Sequence, residues 1–265
     1  MINRIAYQSN SLAYDKQGDG KKVILLFHGF GQDHHAFDAW KEVLKNDYTL
    51  FLFDLFFHGE SYWESRIALD KSDWKKILDL FFEQEKIEVF DVAGFSLGGK
   101  FALATLEAFP TRVKRIILLA PDGIKTNFWY NLATYPIAIR ALFKSMILHP
   151  HRLHTITKTL RTIGLVDKGL LRFAESQMDT EEKRKRVYFS WVYFRHLRFD
   201  LARVANLVND HGITFTVMVG KHDKVIVADG MNRILKRIEN YKLKLIETGH
   251  NGIIEKSIAF LWSKD

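Results

Sequence analysis

A serine held between two glycines, Gly94-Phe95-Ser96-Leu97-Gly98, is where this 265-residue chain could do chemistry. A hydroxyl is exposed as a nucleophile when strand passes to helix through a sharp turn, and glycines at minus two and plus two let the backbones approach closely there. Such a serine needs a base, because its hydroxyl stays protonated at neutral pH, and the base needs a carboxylate to orient it and stabilise its cationic form. His250, in Glu247-Thr248-Gly249-His250, and Asp223, in Gly220-Lys221-His222-Asp223, each follow an apolar run late in the chain. Asp122, in Leu119-Ala120-Pro121-Asp122-Gly123, is a competing carboxylate. Together these types support nucleophilic acyl transfer to water.

Positioning such groups requires elements that alternate. Strand-like runs lie at Lys22 to Phe27, Tyr48 to Phe53, Val89 to Ala93, Val113 to Leu119, Ile213 to Val219 and Lys242 to Ile246. Helical spacing fills Asp38 to Lys45, Trp74 to Gln84, Lys100 to Phe109, Met231 to Glu239 and Ile254 to Trp262. The alternation predicts an α/β fold, a mostly parallel central sheet with helices on both faces, whose sites form beyond the carboxyl ends of strands. It breaks once, from about residue 123 to 211, where aromatic-rich helical patterns replace strands. The predicted organisation is therefore a core domain of 1–122 and 212–265 with an inserted helical cap at 123–211.

At 47% hydrophobic, the chain can bury one large core, and having no cysteine it has neither a disulfide framework nor a thiolate site. No apolar run reaches the roughly 20 residues of a membrane span, and Met1 to Asn10 lacks the apolar centre of a secretory signal. A cytoplasmic location is the default expectation. The formal charge of +8 belongs wholly to the insertion: residues 124–211 hold 15 Lys and Arg against 7 Asp and Glu, and the rest holds 24 of each. That asymmetry suits an anionic substrate or an acidic surface, and equally a solvated basic face.

The motifs agree on a family. The chain resembles the α/β-hydrolases from Lys22 to its end: the serine turn, His28-Gly29-Phe30-Gly31 after the first core strand, and the order Ser, Asp, His. The resemblance implies Ser96 as nucleophile, His250 as base and Asp223 as its orienting acid, with Phe30 and Leu97 donating backbone N–H groups to an oxyanion. It implies no cofactor and no metal. Asp54-Leu55-Phe56-Phe57-His58-Gly59-Glu60-Ser61 is similar to the family's Asp-x-Pro-Gly-His-Gly-x-Ser loop, with two aromatics replacing Pro-Gly. Different loop packing is expected there, and Asp54 and His58 are read as structural.

Within the insertion, His149, His151 and His154 lack an accompanying carboxylate or thiolate at metal-ligand spacing. Lys183-Arg184-Lys185-Arg186, after Glu181-Glu182, reads as an exposed helix face rather than a nucleic-acid site. Trp129, Tyr130, Tyr135, Phe143, Trp191, Tyr193 and Phe194 read mainly as core. Phe30, Phe95 and Leu97 predict an apolar frame beside the nucleophile. The expected activity is hydrolysis of a carboxylic ester with a small to medium apolar acyl or aryl group, the partner being a small molecule, anionic or lipid-like. The alternatives are a carbon–carbon bond hydrolase or thioesterase of the same fold, and a ligand-binding receptor that keeps the triad without turnover.

Overall fold

In the computed structural model the described residues are 2–124, 134, 136–148 and 178–262. Eight strands form one sheet: β1 (Ile2–Tyr7), β2 (Asn10–Gln17), β3 (Lys22–Phe27), β4 (Tyr48–Phe53), β5 (Phe90–Phe95), β6 (Val113–Leu119), β7 (Thr214–Gly220) and β8 (Tyr241–Ile246). Their order is β1-β2-β4-β3-β5-β6-β7-β8. All neighbours from β4 to β8 pair in parallel; β1 and β2 are antiparallel. This amino-terminal hairpin has no counterpart in the sequence reading, because polar residues interrupt its apolar positions: Ile5 lies opposite Leu12 but Ile2 lies opposite Asp15.

The helices are α1 (Asp38–Leu44), α2 (Lys71–Glu85), α3 (Gly98–Ala108), α4 (Ile137–Leu148), α5 (Glu181–Tyr193), α6 (Leu201–Asp210), α7 (Asn232–Leu235) and α8 (Ile253–Leu261). Helix α2 begins three residues before the predicted Trp74. Its start is set by a capping box between Asp70 and Asp73, upstream of the first apolar contact. The single helix expected over Met231 to Glu239 is instead a 3-10 turn, Ala228–Met231, followed by the four-residue α7.

Parallel strands are buried on both faces, which explains the continuous apolar runs in β3, β4 and β6. One face carries an aromatic layer in which Phe27, Phe53, Tyr14, Phe81, Trp74 and Phe101 meet at centroid distances of 5.0–6.2 Å. On the other, Trp40 is fully buried among Phe37, Leu44 and Ile254, and its indole donates to the Ile254 carbonyl (2.9 Å) and Ser257 Oγ (3.1 Å).

The chain divides into two compact units, residues 1–125 with 197–265, and residues 126–196. The predicted insertion of 123–211 thus takes in too much. Helix α6 belongs to the first unit, where Val204, Ala205 and Val208 are buried and Asn209 bonds the backbone of Arg237 and Glu239. The physical reason is topological: β6 and β7 are parallel neighbours and need a helical crossover between them. In the second unit, α4 and α5 pack through Phe143 against Tyr188 and Trp191. Lys183, Lys185 and Arg186 pair with Asp179, Glu181 and Glu182 along α5, as an exposed face would. Arg184 departs from that expectation. It is 8% exposed and turns inward to donate to the carbonyls of Ile147, Met178 and Asp179. His149, His151, His154, Trp129, Tyr130 and Tyr135 lie outside the described residues.

Candidate active site

Ser96 occupies the corner between β5 and α3 with φ +50, left-handed backbone that costs a non-glycine residue about 1–2 kcal/mol. Three backbone bonds hold it there. Its N–H donates to the Leu119 carbonyl (2.9 Å), and its own carbonyl accepts from Gly99 (2.9 Å) and Asp122 (2.8 Å). The glycines are required by contact: a Cβ at Gly94 would lie 2.3 Å from the Gly98 carbonyl oxygen, and one at Gly98 would lie 2.0 Å from that of Phe27. The second contact shows how tightly the start of α3 is pressed onto the end of β3, from which His28 to Gly31 continues.

The structure brings the three predicted side chains together from the carboxyl ends of β5, β7 and β8. His250 Nε2 lies 3.0 Å from Ser96 Oγ, and His250 Nδ1 lies 2.7 Å from Asp223 Oδ2. Asp223 has no exposed side-chain surface. Burial alone would raise its carboxyl, but the His250 bond and N–H donors from Ile226 and Val225 outweigh that and hold it below the ordinary aspartate value. Those two amides donate to Oδ1 at 2.9 and 2.8 Å, leaving Oδ2 for the imidazole. With Asp223 ionised, Nδ1 carries the proton and Nε2 faces the serine as an acceptor.

Asp122, the competing carboxylate, is engaged elsewhere: Oδ2 lies 3.1 Å from Lys100 Nζ, and Oδ1 accepts from the Gly123 amide. Phe95 is 2% exposed and backs the imidazole at a centroid distance of 5.0 Å, so it supports the site from the core instead of framing its opening. Phe30 is partly exposed, its ring edge-on to His58 at 5.4 Å, and Leu97 is 9% exposed. The backbone amides of Phe30 and Leu97 meet no acceptor among the described residues. Leu97 immediately precedes α3, whose first-turn amides have no intrahelical partner.

The loop after β3 is closed on itself by Gln32, whose side-chain oxygen accepts from Gly29 N–H at 2.9 Å. Asp54, with no exposed surface, accepts from His34 N–H (2.7 Å) and Glu60 N–H (2.8 Å) and lies 2.9 Å from His34 Nδ1. His28 Nε2 accepts from Leu55 N–H, so its Nδ1 proton goes to the Gly29 carbonyl. Asp54 and His28 thus lace the two loops together. His58 turns Nδ1 to the Phe56 carbonyl. Phe56 is buried against Trp63, whereas Phe57 sits at φ +67, a left-handed residue at the glycine position of the family's loop. Gln32 and His34 went unread in the sequence. The only signal for them was their place just after His28-Gly29-Phe30-Gly31.

Known proteins resemble this chain in sequence and in fold. A family model described as alpha/beta hydrolase fold matches residues 22–141. The pimeloyl-[acyl-carrier protein] methyl ester esterase of Legionella pneumophila is 30% identical over 121 residues, 45% of this chain and 46% of that protein. The dihydrolipoyllysine-residue acetyltransferase component of the acetoin cleaving system of Cupriavidus necator is 32% identical over 114 residues, 42% of this chain and 29% of that one. The matched stretch is less than half of either relative. A solved structure of a thermophilic esterase from Thermogutta terrifontis superposes with a TM-score of 0.69 at 17% identity, covering 98% of this chain and 95% of that one. At that identity the likeness is one of fold. Among the described residues, no helix is long and apolar enough to cross a membrane.

Proposed function

We propose that this chain, a member of the α/β-hydrolase fold family, hydrolyses carboxylic esters through a covalent acyl intermediate on Ser96. The observation that carries the reading is the unbroken relay from Asp223 through His250 to Ser96, at 2.7 and 3.0 Å. Ser96 Oγ attacks the ester carbonyl while His250 Nε2 takes its proton. Asp223 stabilises the imidazolium, and the proton passes to the departing alcohol. Water activated by the same imidazole then releases the acid. The Phe30 and Leu97 amides serve the oxyanion, each such donor being worth about 3 kcal/mol. No metal or redox group takes part in these steps.

The substrate class we assign is a small to medium apolar acyl or aryl ester, consistent with phenylalanine and leucine at the donor positions. Fluorophosphonate labelling tests the nucleophile, with Ser96→Ala as control, and p-nitrophenyl esters from acetate to decanoate test turnover. Labelling of wild type alone, with turnover, is expected. Labelling without turnover of any ester would favour a receptor or a different scissile bond. Absence of both would overturn the reading.

A further inference from the structure

Lys100 is the one cation on α3, and it sits where a cation is least welcome. It is three residues into the helix, near the positive end of the helix dipole, and its side chain is 7% exposed. The triad does not use it. Its ammonium lies 3.1 Å from Asp122 Oδ2, and its stem fills the space beside Gly123, where a Cβ would come 3.2 Å from Lys100 Cγ. Gly123 needs that freedom, having φ +106, and its N–H donates to Asp122 Oδ1 at 2.7 Å. Both carboxylate oxygens of Asp122 are therefore fixed, which fixes the turn that follows β6. From that turn the Asp122 N–H reaches back 2.8 Å to the carbonyl of Ser96.

We infer that the Lys100–Asp122 pair is a positioning device for the nucleophile: it clamps the turn whose amide holds Ser96 in left-handed backbone. The inference rests on the proposed role of Ser96 and adds two positioning residues to it. Left-handed backbone at a serine persists only where its surroundings over-determine it. Of the three bonds that do so, two come from elements already fixed, β6 and α3, while the third comes from a loop. The ion pair supplies what the loop lacks. Helix α3 leaves Ser96 directly and the loop leaves β6, the strand paired with β5, so joining them closes a ring around the corner.

The test compares Lys100→Met, Asp122→Asn and the double variant. The readouts are p-nitrophenyl acetate kinetics, melting temperature and hydrogen exchange of the Asp122 amide. Each single variant is expected to lower kcat about tenfold with KM within twofold, and the double no further, because one device is lost either way. Exchange at the Asp122 amide should quicken about tenfold in each. Lys100→Arg, which keeps the charge, should stay within threefold of wild type. A kcat within twofold of wild type in both single variants, a multiplicative loss in the double, or unchanged exchange would overturn the proposal. If wild type neither turns over esters nor takes the phosphonate, the esterase reading fails, and amide exchange alone decides the clamp.

Discussion

Replacing Asp223 by asparagine probes the relay with almost no change of shape. In wild type, Oδ1 accepts two amides and Oδ2 accepts the His250 Nδ1 proton. A carboxamide has one accepting oxygen and one donating nitrogen. If the oxygen stays with Val225 and Ile226, the NH2 faces Nδ1, which must become an acceptor. The proton then moves to Nε2 and points at Ser96 Oγ, where no general base remains. The competent tautomer returns only if the amide flips, which leaves two N–H donors facing an NH2. Each unsatisfied buried donor costs about 1–3 kcal/mol, so the competent form lies about 2–6 kcal/mol higher. At 1.36 kcal/mol per decade, kcat should fall between about thirtyfold and about twenty-five-thousandfold. Single-turnover acylation by p-nitrophenyl acetate reads this directly, and the 15N shifts of His250 report the tautomer. A loss under threefold, or an Nδ1–H tautomer in a variant that is still slow, would refute the reasoning.

The same carboxyl predicts an acid-side signature. Its value is depressed in the folded state, so its contribution is present above the ordinary 3.8 and lost as pH falls through the lower folded value. The stability gap between wild type and Asp223→Asn, followed by urea titration, should be flat above pH 5 and close below 3.8; a gap that widens in acid contradicts the sign. Gly98→Ala drives a methyl onto the Phe27 carbonyl at 2.0 Å and should cost about 3 kcal/mol, a melting temperature lower by roughly 6–12 °C. An unchanged melting temperature would show that β3 and α3 can separate. Trp40→Phe deletes one donor shared by Ile254 and Ser257 and should lower stability by about 1–2 kcal/mol in urea, leaving turnover within twofold.

Much of the architecture was legible because local physics and the fold agree. The apolar runs at Lys22–Phe27, Tyr48–Phe53 and Val113–Leu119 are strands with the boundaries read from composition, since interior parallel strands need apolar residues on both faces. Ser96, Asp223 and His250 could be picked out because each stands just past such a run, flanked by turn residues. The amino-terminal hairpin was not legible, its stability coming from pairing with β4 and not from its own pattern. Nor was the membership of α6, whose amphipathic sequence needs an apolar neighbour without saying which.

By itself, the sequence determined which residue types stand at the ends of which strands, and therefore which chemistry is on offer. Only the tertiary structure decided partnership: that His250 takes Asp223 while Asp122 turns to Lys100, that Arg184 faces inward, and that Phe57 adopts left-handed backbone. The reason is range. Turn chemistry and burial preference act over a few residues and are written locally, whereas a hydrogen bond between residues 96 and 250 exists only when β5 and β8 are packed into the same sheet.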